Sequence, residues 1–422
     1  MINIHIIGVT QTSDLVGDAL LAVQHASAVI GSERQLDIVK PHLMANSETS
    51  LHKLPKLAEL KSLIEELSVE RSDGEQHAIV VLASGDPLHY GIGRWFSQHF
   101  EQSQLRFYPA ISSIQMACHR LAMSMQDVTV LSLHGRPLAS LRTKLKNATK
   151  LLILTDKFSQ PQALARECLE TGFDESTITV LENLSYLHER IRTFSVAQLL
   201  DKAESFEPLH VSVIDVKGAG GILPEFPGIP DTSYITGVEA GKGMITKREV
   251  RLCILSLLQP ANYDVIWDVG AGCGGVSIEL SYWNDQVSVY AVECHEERLT
   301  HLLANQKRFG VVKNLHLIHG HAPECLTDLP VPNKVFIGGS GGDMNALLEI
   351  VWPRLPTGGL LVVSAVVEKT KRALQEFAMS VSSKAISDVE VVEVSVKRGQ
   401  FKDTELDYTA KLPVEVFKFK KA

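Results

Sequence analysis

A stretch rich in glycine and proline, VKGAGGILPEFPGIPDTSY, occupies residues 216–234 and divides the chain. Neither a helix nor a central strand is expected to run through it, because proline lacks an amide donor and both residue types interrupt regular structure. Short apolar runs alternate with helical patterns on either side of it. The sequence therefore predicts two α/β domains, residues 1–215 and 236–422, joined by a linker at 216–235. Each half of the 422-residue chain is long enough to bury its own core.

After the linker, apolar runs and helix-like segments alternate at short intervals. The runs are DVIWDV, VSVYAVE, LHLIHG, KVFIGG and GLLVVSAVV. This alternation is typical of a parallel, doubly wound sheet with helices on its faces. The final stretch, residues 391–421, alternates like an antiparallel hairpin, which we expect at the edge of that sheet.

The composition narrows the classes of partner. The formal net charge is −8, which argues against a protein that binds nucleic acid mainly by electrostatic attraction. Six cysteines are scattered with no C-x-x-C pair, which favours free thiols over a disulfide framework and predicts no metal site. No apolar run approaches the ~18 residues of a membrane span, and the N-terminus does not resemble a signal peptide. We therefore expect a cytoplasmic protein with no membrane or nucleic-acid partner.

The sequence VIWDVGAGCGGVSIEL, residues 265–280, leads from an apolar strand through a glycine cluster into an amphipathic stretch. Glycines at such a junction allow the backbone to approach a nucleotide closely. Two spacings fit the cluster. Gly270 and Gly272 with Gly275 match the fingerprint of dinucleotide-binding folds. The same two glycines with Gly274 match the turn that binds S-adenosylmethionine.

Residues at the ends of the predicted strands favour the methyl donor. Asp268 ends the first strand, where a carboxylate would repel a pyrophosphate but attract the ammonium and sulfonium of S-adenosylmethionine. Glu293 ends the second strand and can accept hydrogen bonds from ribose hydroxyls, which both kinds of fold use. His321 and Ala322 follow the third strand, where adenine contacts are expected. Gly338 follows the fourth strand and would open space for a ligand.

A longer segment, GMITKREVRLCILSLLQPANYDVIWDVGAGCGGVSIEL, with FIGGSGG downstream, resembles the decarboxylating methyltransferases of cobalamin biosynthesis over residues 236–400. The resemblance implies a Rossmann-like class I methyltransferase fold that binds S-adenosylmethionine, with Thr246 among the binding residues. His321 departs from the family, which usually has an acid after the preceding glycine.

In the first half, VVLASGDPLHYGIG places Gly85 and Asp86 directly after a strand. The segments FYPAISSIQMAC, SLHGR and VLENLSYLHERI follow in order. Together these motifs resemble the tetrapyrrole methylase family over residues 2–215, which implies a two-lobed class III fold with S-adenosylmethionine in a cleft between the lobes. Gly85, Asp86, Ser112 and Ser113 are the candidate cofactor-binding residues.

The first half departs from this family at two loops. The loop after the first strand, GVTQTS, keeps only Gly8 of the usual glycine-proline-glycine pattern. The usual Pro-Gly-Ile-Ser-Ser has Ala110 in place of its glycine, which requires a negative φ there. His134 and Arg136 are candidate anchors for substrate carboxylates.

Two methyltransferase domains on one chain imply a substrate with two methylation sites. The resemblance supplies precorrin-6B, methylated at ring carbons 5 and 15 with loss of carbon dioxide from the ring C acetate. It implies one S-adenosylmethionine per domain. The second domain would decarboxylate and methylate carbon 15, and the first, with Asp86 in its active site, would methylate carbon 5. The cationic candidates for binding substrate carboxylates near the second cofactor site are Lys247, Arg248 and Arg251.

Three alternatives stay open at this point. The substrate could be the cobalt-containing form of the same tetrapyrrole. Both folds also host RNA methyltransferases, although these need a basic groove with aromatic residues, and the acidic chain offers no obvious one. A third alternative is a regulator that binds S-adenosylmethionine without turnover. A homo-oligomer through either domain is expected in each case.

Overall fold

The computed structural model describes residues 3–11, 15–44, 48–69, 78–201, 203–239, 241–339, 341–380 and 385–422. The chain forms two compact units. The N-terminal unit contains residues 1–135, 148–166 and 175–217, and the C-terminal unit contains residues 136–147, 167–174 and 218–422. Residues 218–235, which the sequence predicts as a linker, therefore cluster with the C-terminal unit.

The first sheet of the N-terminal unit is parallel and has the order β3-β2-β4-β1-β5. Its strands are β1 Asn3–Val9, β2 Ala28–Gly31, β3 Ser50–Lys53, β4 Ala78–Ser84 and β5 Leu105–Tyr108. Its helices are α1 Gly17–Gln24, α2 Glu33–Val39, α3 Leu57–Val69, α4 Gly93–His99 and α5 Ser113–Arg120. Because β1 lies between β4 and β5, the loops that follow these three strands meet at one edge of the sheet.

Strand β4 shows why these parallel strands are apolar throughout. Ile79 and Val81 pack into a core on one face of the sheet, and Val80 and Leu82 pack into a core on the other. A strand that is buried on both faces has no solvent-facing position for a polar side chain. Its sequence is therefore a continuous apolar run, not an alternation of apolar and polar residues.

The second sheet of the N-terminal unit is mixed and has the order β6-β7-β10-β8-β9. Strands β6 and β7 are parallel, and the other pairs are antiparallel. Its strands are β6 Thr129–Ser132, β7 Lys150–Leu154, β8 Thr177–Glu182, β9 Arg190–Ser195 and β10 His210–Asp215. The helices of this region are α6 Pro161–Glu170 and α7 Val196–Asp201. The two sheets confirm the predicted two-lobed fold.

The C-terminal unit contains a seven-stranded sheet with the order β13-β12-β11-β14-β15-β19-β16. The strands that pair in parallel are β11 Val265–Val269, β12 Ser288–Glu293, β13 Leu315–His319, β14 Lys334–Ile337 and β15 Leu360–Ala365. Its helices are α8 Arg248–Leu258, α9 Gly275–Trp283, α10 Glu296–Phe309, α11 Met344–Arg354 and α12 Glu368–Ser380. The predicted parallel, doubly wound sheet is confirmed.

The last strands complete the edge of this sheet. β16 Ile386–Val394 and β19 Val414–Lys421 pair with each other in antiparallel register, and β19 also pairs with β15. Between them, β17 Lys397–Lys402 and β18 Glu405–Ala410 form a separate two-stranded sheet. The predicted antiparallel arrangement is therefore present as an edge pair with an additional hairpin.

Short 3-10 helices connect several of these elements. They are Lys40–His42, Gln102–Gln104, Met125–Asp127, Leu138–Lys144, Asp231–Ser233 and Glu324–Leu326. None of the helices in the described parts of the chain is both long enough and apolar enough to cross a bilayer.

Candidate functional site

The glycine turn between β11 and α9 distinguishes the two spacings that the sequence left open. Gly270, Gly272 and Gly274 have φ values of +76°, +59° and +90°. Residues with a side chain rarely adopt this left-handed conformation, so these three positions require glycine. Gly275 instead begins α9 and has no positive φ. The glycines that the backbone requires are those of the S-adenosylmethionine spacing.

The segment before α8 packs directly against this turn. The amide of Cys273 donates to the carbonyl oxygen of Met244 over 3.0 Å. A Cβ at Gly272 would lie 2.6 Å from that same oxygen, and a Cβ at Gly275 would lie 3.4 Å from the carbonyl oxygen of Thr246. The turn and the predicted cofactor-binding residue Thr246 are therefore neighbours.

Asp268 lies at the end of β11 and is 1% exposed. Its Oδ2 accepts a hydrogen bond from the Ser277 hydroxyl, while no described residue donates to its Oδ1. The pKa of Asp268 is raised to about 6, mainly by burial; the hydrogen bonds from Ser277 oppose this shift, and the charge of Glu293 adds to it. A buried carboxylate oxygen without a donor is costly, and a cationic ligand would stabilise it.

Glu293 lies at the end of β12 and is 3% exposed. Its Oε2 accepts a hydrogen bond from the amide of Gly272 over 2.8 Å, and its Oε1 accepts one from the amide of His295 over 2.9 Å. Arg298 approaches Oε1 at 3.8 Å. Glu293 therefore orients the glycine turn, and its Oε2 keeps a second lone pair that can accept from a ligand hydroxyl.

Two neighbouring cavities lie at this edge of the sheet. The smaller, of about 50 Å³, is lined by the predicted residues Gly270, Glu293, His321 and Ala322. The larger, of about 550 Å³, is lined by the predicted residue Gly338 and by the first turns of α11 and α12. Gly339 and Gly341 line both cavities, so the two meet there. Ser340, in the middle of FIGGSGG, lies outside the described residues.

These residues fit a nucleoside that carries positive charge. The turn holds glycine where a Cβ would collide, since a Cβ at Gly270 would lie 2.8 Å from the backbone of Gly339. Asp268 supplies an acidic oxygen with no described donor, and Glu293 supplies acceptors beside the smaller cavity. A pyrophosphate at the glycine turn would meet the buried carboxyl group of Asp268, so this position does not suit a dinucleotide.

One group of described residues brings three possible metal-binding atoms within 4.8 Å of one another: Glu293, Cys294 and His295. These residues are consecutive in the chain, and both oxygens of Glu293 already accept backbone amides. The proximity of the three groups is therefore explained by the local hydrogen bonding of Glu293.

The prediction that Arg251 binds substrate carboxylates needs correction. Arg251 is 0% exposed, and its guanidinium lies 2.7 Å from Asp231 Oδ1 and 3.0 Å from Glu279 Oε1. It also donates to the carbonyl oxygens of Ile229 and Thr246. A buried arginine with these partners stabilises the fold, because its donors are used by protein oxygens.

Lys247 and Arg248 have different surroundings. Lys247 is half-buried, its Nζ donates to the carbonyl oxygen of Gly241 over 2.8 Å, and burial lowers its pKa. The Arg248 side chain is 46% exposed, and its Nη2 lies 3.7 Å from Glu249. The described linings of the two cavities include neither residue. Both remain candidates for substrate binding next to the glycine turn rather than inside a cavity.

In the N-terminal unit, the loops after β1, β4 and β5 converge. A Cβ at Gly8 would lie 1.9 Å from the carbonyl oxygen of Gly85 and 2.7 Å from the amide nitrogen of Ala110. A Cβ at Gly85 would lie 2.8 Å from Cα of Ser112. Gly85 also has a φ of +65°, so its position requires glycine. Ala110 is not among the residues with positive φ, so an alanine can occupy this position in place of the usual glycine.

The predicted polar residues of these loops have local hydrogen bonds. Asp86 Oδ1 accepts the amide of Leu88 over 2.9 Å, which stabilises the turn. Ser112 caps α5, since its hydroxyl accepts the amide of Gln115 and donates to the side chain of Gln115. Ser113 is exposed on the first turn of the same helix. The structure thus places Gly85 and Ser112 together and leaves Asp86 and Ser113 beside them.

A cavity of about 640 Å³ adjoins these loops. It is lined by residues from the β1 and β5 loops, including Gly8 and Ala110. It is also lined by residues that the sequence analysis did not name individually as candidates: Asp18, Tyr108, His119, Arg120 and Ser185. Arg120 ends α5, only two residues after the FYPAISSIQMAC motif, and this proximity was the one local signal for it. His134 and Arg136, which the sequence proposed as anchors, are exposed and are absent from the described lining. Thr12 and Ser13 of GVTQTS lie outside the described residues.

Comparison with known proteins matches both parts of the chain. The family model for tetrapyrrole (corrin/porphyrin) methylases matches residues 7–200, and the model for the precorrin methyltransferase domain matches residues 239–421. A Sinorhizobium protein named precorrin-6Y C(5,15)-methyltransferase [decarboxylating] is 33% identical over 370 residues, which cover 87% of this chain and 85% of that protein.

Two shorter relatives each match less than half of the chain. A Methanothermobacter thermautotrophicus protein named as a probable cobalt-precorrin-6B C(15)-methyltransferase (decarboxylating) is 32% identical, over 44% of this chain and 93% of its own length. A Salmonella typhimurium protein named cobalt-precorrin-7 C(5)-methyltransferase is 34% identical, over 42% of this chain and 83% of its own length.

Proposed function

Because the chain belongs to the family of decarboxylating precorrin-6Y C5,15-methyltransferases, we propose that it adds two methyl groups to precorrin-6B, at ring carbons 5 and 15, and removes the carboxylate of the ring C acetate. The product, precorrin-8, is an intermediate of corrin biosynthesis. One observation carries the proposal: each unit has its own glycine-lined site at the carboxyl edge of a parallel sheet, so one chain can serve two methylation positions.

S-adenosylmethionine, when bound, supplies the electrophilic methyl group. In the C-terminal unit, Asp268 would neutralise positive charge, and Glu293 would accept from ribose hydroxyls while orienting the turn through Gly272. The neighbouring cavity of about 550 Å³ would receive the part of the tetrapyrrole that is methylated. The electron-rich macrocycle is itself the carbon nucleophile, so the protein needs to position it rather than supply a strong base.

Decarboxylation follows from the same electron-rich ring. When the bond between the acetate methylene and its carboxylate breaks, carbon dioxide leaves and the bonding electron pair enters the conjugated system. That system lost electron density when its carbon was methylated, so it can accept the pair. The methylene then takes a proton to become a methyl group, and the ring system releases a proton to solvent, which restores its charge. The C-terminal unit therefore has to hold the acetate arm next to the methylated carbon.

We assign the two reactions to different units. The C-terminal unit, matched by the precorrin methyltransferase domain, would methylate carbon 15 and decarboxylate. The N-terminal unit, matched by the tetrapyrrole methylases, would methylate carbon 5. The half-length relatives with separate C(15) and C(5) names support this division, since each accounts for less than half of the chain. Each unit would bind one S-adenosylmethionine.

The test uses the whole chain with precorrin-6B and labelled methyl donor, followed by product mass and released carbon dioxide. Asp86→Ala should still release carbon dioxide and add one methyl group, then stall, because the β4 loop loses its turn-stabilising acceptor. Asp268→Ala should lose decarboxylation and the methylation coupled to it. Its affinity for the donor should weaken by about 1–3 kcal/mol, the usual loss for a hydrogen bond to a charged group.

Equilibrium dialysis with labelled donor tests the stoichiometry in the same proteins. Two donors per wild-type chain and one per Asp268→Ala chain are expected. Glu349→Gln is the matched control, because Glu349 is an exposed acid on α11 and should leave both values unchanged. A wild-type chain that methylates precorrin-6B only once, or an Asp268→Ala chain that still decarboxylates at the normal rate, would contradict the assignment.

The names of the relatives bear on the alternative substrates. The relatives do not favour an RNA methyltransferase, because their names give tetrapyrrole substrates. The relatives differ in whether their named substrate contains cobalt: the half-length relatives are named for cobalt-precorrins, and the relative that matches most of the chain is not. Turnover of precorrin-6B in parallel with its cobalt complex distinguishes the two.

A further inference from the structure

The cavity of about 640 Å³ in the N-terminal unit is lined by charged side chains to which the proposed reaction assigns no role. The charged or titratable side chains of its described lining are Asp18, His119, Arg120 and Tyr108. Its volume lies within the ~300–1,000 Å³ of small-molecule sites. A tetrapyrrole with acetate and propionate arms presents several carboxylates to such a cavity, and cationic side chains form the strongest hydrogen bonds to carboxylates.

Arg120 is held in one orientation by Glu189. Nε of Arg120 donates to Oε1 over 2.6 Å, and Nη2 donates to Oε2 over 3.1 Å, so the pair is bidentate. Glu189 is itself fixed, because its Oε2 accepts the amide of Ser185 over 2.8 Å and its own amide donates to Tyr186 over 3.0 Å. The Arg120 side chain is 44% exposed.

The donors of Arg120 that do not bond Glu189 lie on the opposite edge of the guanidinium. No described residue accepts a hydrogen bond from Nη1, and Nη2 has a second hydrogen. A guanidinium that is already oriented loses less rotamer freedom when it binds a ligand, which strengthens the contact. His119, next to it at the end of α5, lines the same cavity.

The loop that fixes Glu189 is conformationally unusual. Asn183 and Ser185 have φ values of +52° and +69°, and both lie in the VLENLSYLHERI motif. Asparagine tolerates this conformation, whereas serine adopts it less readily. Such strain persists where surrounding contacts require it, and here Ser185 both lines the cavity and donates to Glu189.

We propose that Arg120, oriented by Glu189, binds a side-chain carboxylate of the tetrapyrrole and so sets which ring carbon reaches the methyl donor in the N-terminal unit. The inference rests on the proposed function. Arg120 contacts the substrate, Glu189 is a positioning residue, and Asp18 on the cavity wall disfavours a second carboxylate on its side. Arg120 therefore takes the role that the sequence gave to His134 and Arg136.

The experiment measures both methylations in the full chain as a function of precorrin-6B concentration. In Arg120→Gln, KM for the addition that is not coupled to decarboxylation should rise about ten- to hundredfold, because a hydrogen bond to a charged group is lost. In Arg120→Lys the rise in KM should be smaller, since the positive charge remains but the planar guanidinium with its paired donors is lost. Glu189→Gln should raise the same KM less. Carbon dioxide release should be unchanged in all three.

Arg94→Gln is the matched control, because Arg94 is exposed on α4 and is absent from the described cavity lining. Unchanged KM in Arg120→Gln, with both methylations intact in the wild type, overturns the inference and leaves the proposed function standing. Equal loss of both activities in Arg120→Gln and Arg120→Lys also overturns it. A wild-type chain that adds no methyl group refutes the proposed function instead. Circular dichroism of each variant separates unfolding from loss of binding.

Discussion

At the scale of the residue, Asp268 combines burial with a carboxylate oxygen that no described residue contacts by a hydrogen bond. Its pKa of about 6 lies above the usual value of 3.8, so the folded protein holds the proton more tightly than the unfolded chain does. The contribution of this group to stability is therefore full below pH 3.8 and is lost as the pH rises through about 6. A bound cation lowers the pKa of Asp268, because it stabilises the ionised carboxylate.

The first prediction concerns pH. Below about pH 6 the KM for S-adenosylmethionine in carbon dioxide release should rise, approaching tenfold per pH unit, because Asp268 must lose its proton to bind a cationic ligand. The measurement is this KM from pH 5 to 8. Asp268→Asn, which cannot ionise, should bind the donor weakly with little change across that range. A variant that keeps the wild-type pH profile would show that another group titrates.

At the scale of the element, the strand–turn–helix unit β11–α9 is the part of the site that local chemistry explains best. Alternate glycines with positive φ lead the chain from the sheet edge into the helix, and the segment around Met244 covers the turn. Because a Cβ at Gly272 would lie 2.6 Å from the carbonyl oxygen of Met244, a side chain there has no space.

The second prediction compares two glycines of this region. Gly272→Ala should lower the free energy of unfolding by about 1–3 kcal/mol, because its φ is +59° and the new Cβ would lie 2.6 Å from the carbonyl oxygen of Met244. Gly339→Ala should change it by less than about 0.5 kcal/mol, because no heavy atom lies within 4 Å of its Cβ position. Urea unfolding measures both.

Activity separates the two variants further. Gly339 lines both cavities of the C-terminal unit, so Gly339→Ala should weaken decarboxylation without loss of stability. Equal destabilisation by the two substitutions would contradict the packing described for the turn.

At the scale of the whole molecule, the segment between the predicted domains is part of the C-terminal unit. Asp231 pairs with Arg251 at 2.7 Å, and the amides of Gly228 and Ile229 donate to Glu279 over 2.8 and 3.1 Å. These contacts bury charge and satisfy it within one unit. The homo-oligomer and the cytoplasmic location stay predictions at this scale.

The third prediction follows from these contacts. A fragment of residues 218–422 should be more stable to urea than one of residues 236–422, by about 3–5 kcal/mol, because the shorter fragment leaves Arg251 without Asp231. The comparison is of urea midpoints followed by circular dichroism. Asp231→Asn in the longer fragment should move its midpoint towards that of the shorter. Equal midpoints for the two fragments would show that residues 218–235 do not stabilise the unit.

Much of this molecule is already determined by local sequence. Apolar runs followed by glycine and an acid predict strands that end at a binding edge, because backbone conformation and burial depend on neighbouring residues. The parallel C-terminal sheet, the two-lobed N-terminal fold and the family resemblance are confirmed. Asp268 and Glu293 were identified by their positions at strand ends, which the sheet brings to one edge.

Only the tertiary structure decided what the charged residues do. Arg251 meets Asp231 and Glu279 from 20 and 28 positions away, and Arg120 meets Glu189 from 69 positions away. In the sequence, Arg251 lies in the first turn of its helix and Arg120 ends its helix, and neither position predicts which acids the arginine meets. The first is enclosed and paired, whereas the second keeps one edge free beside a cavity. Solvent exposure and partners across the fold set the role of a charge, and neither is encoded in the spacing of neighbouring residues.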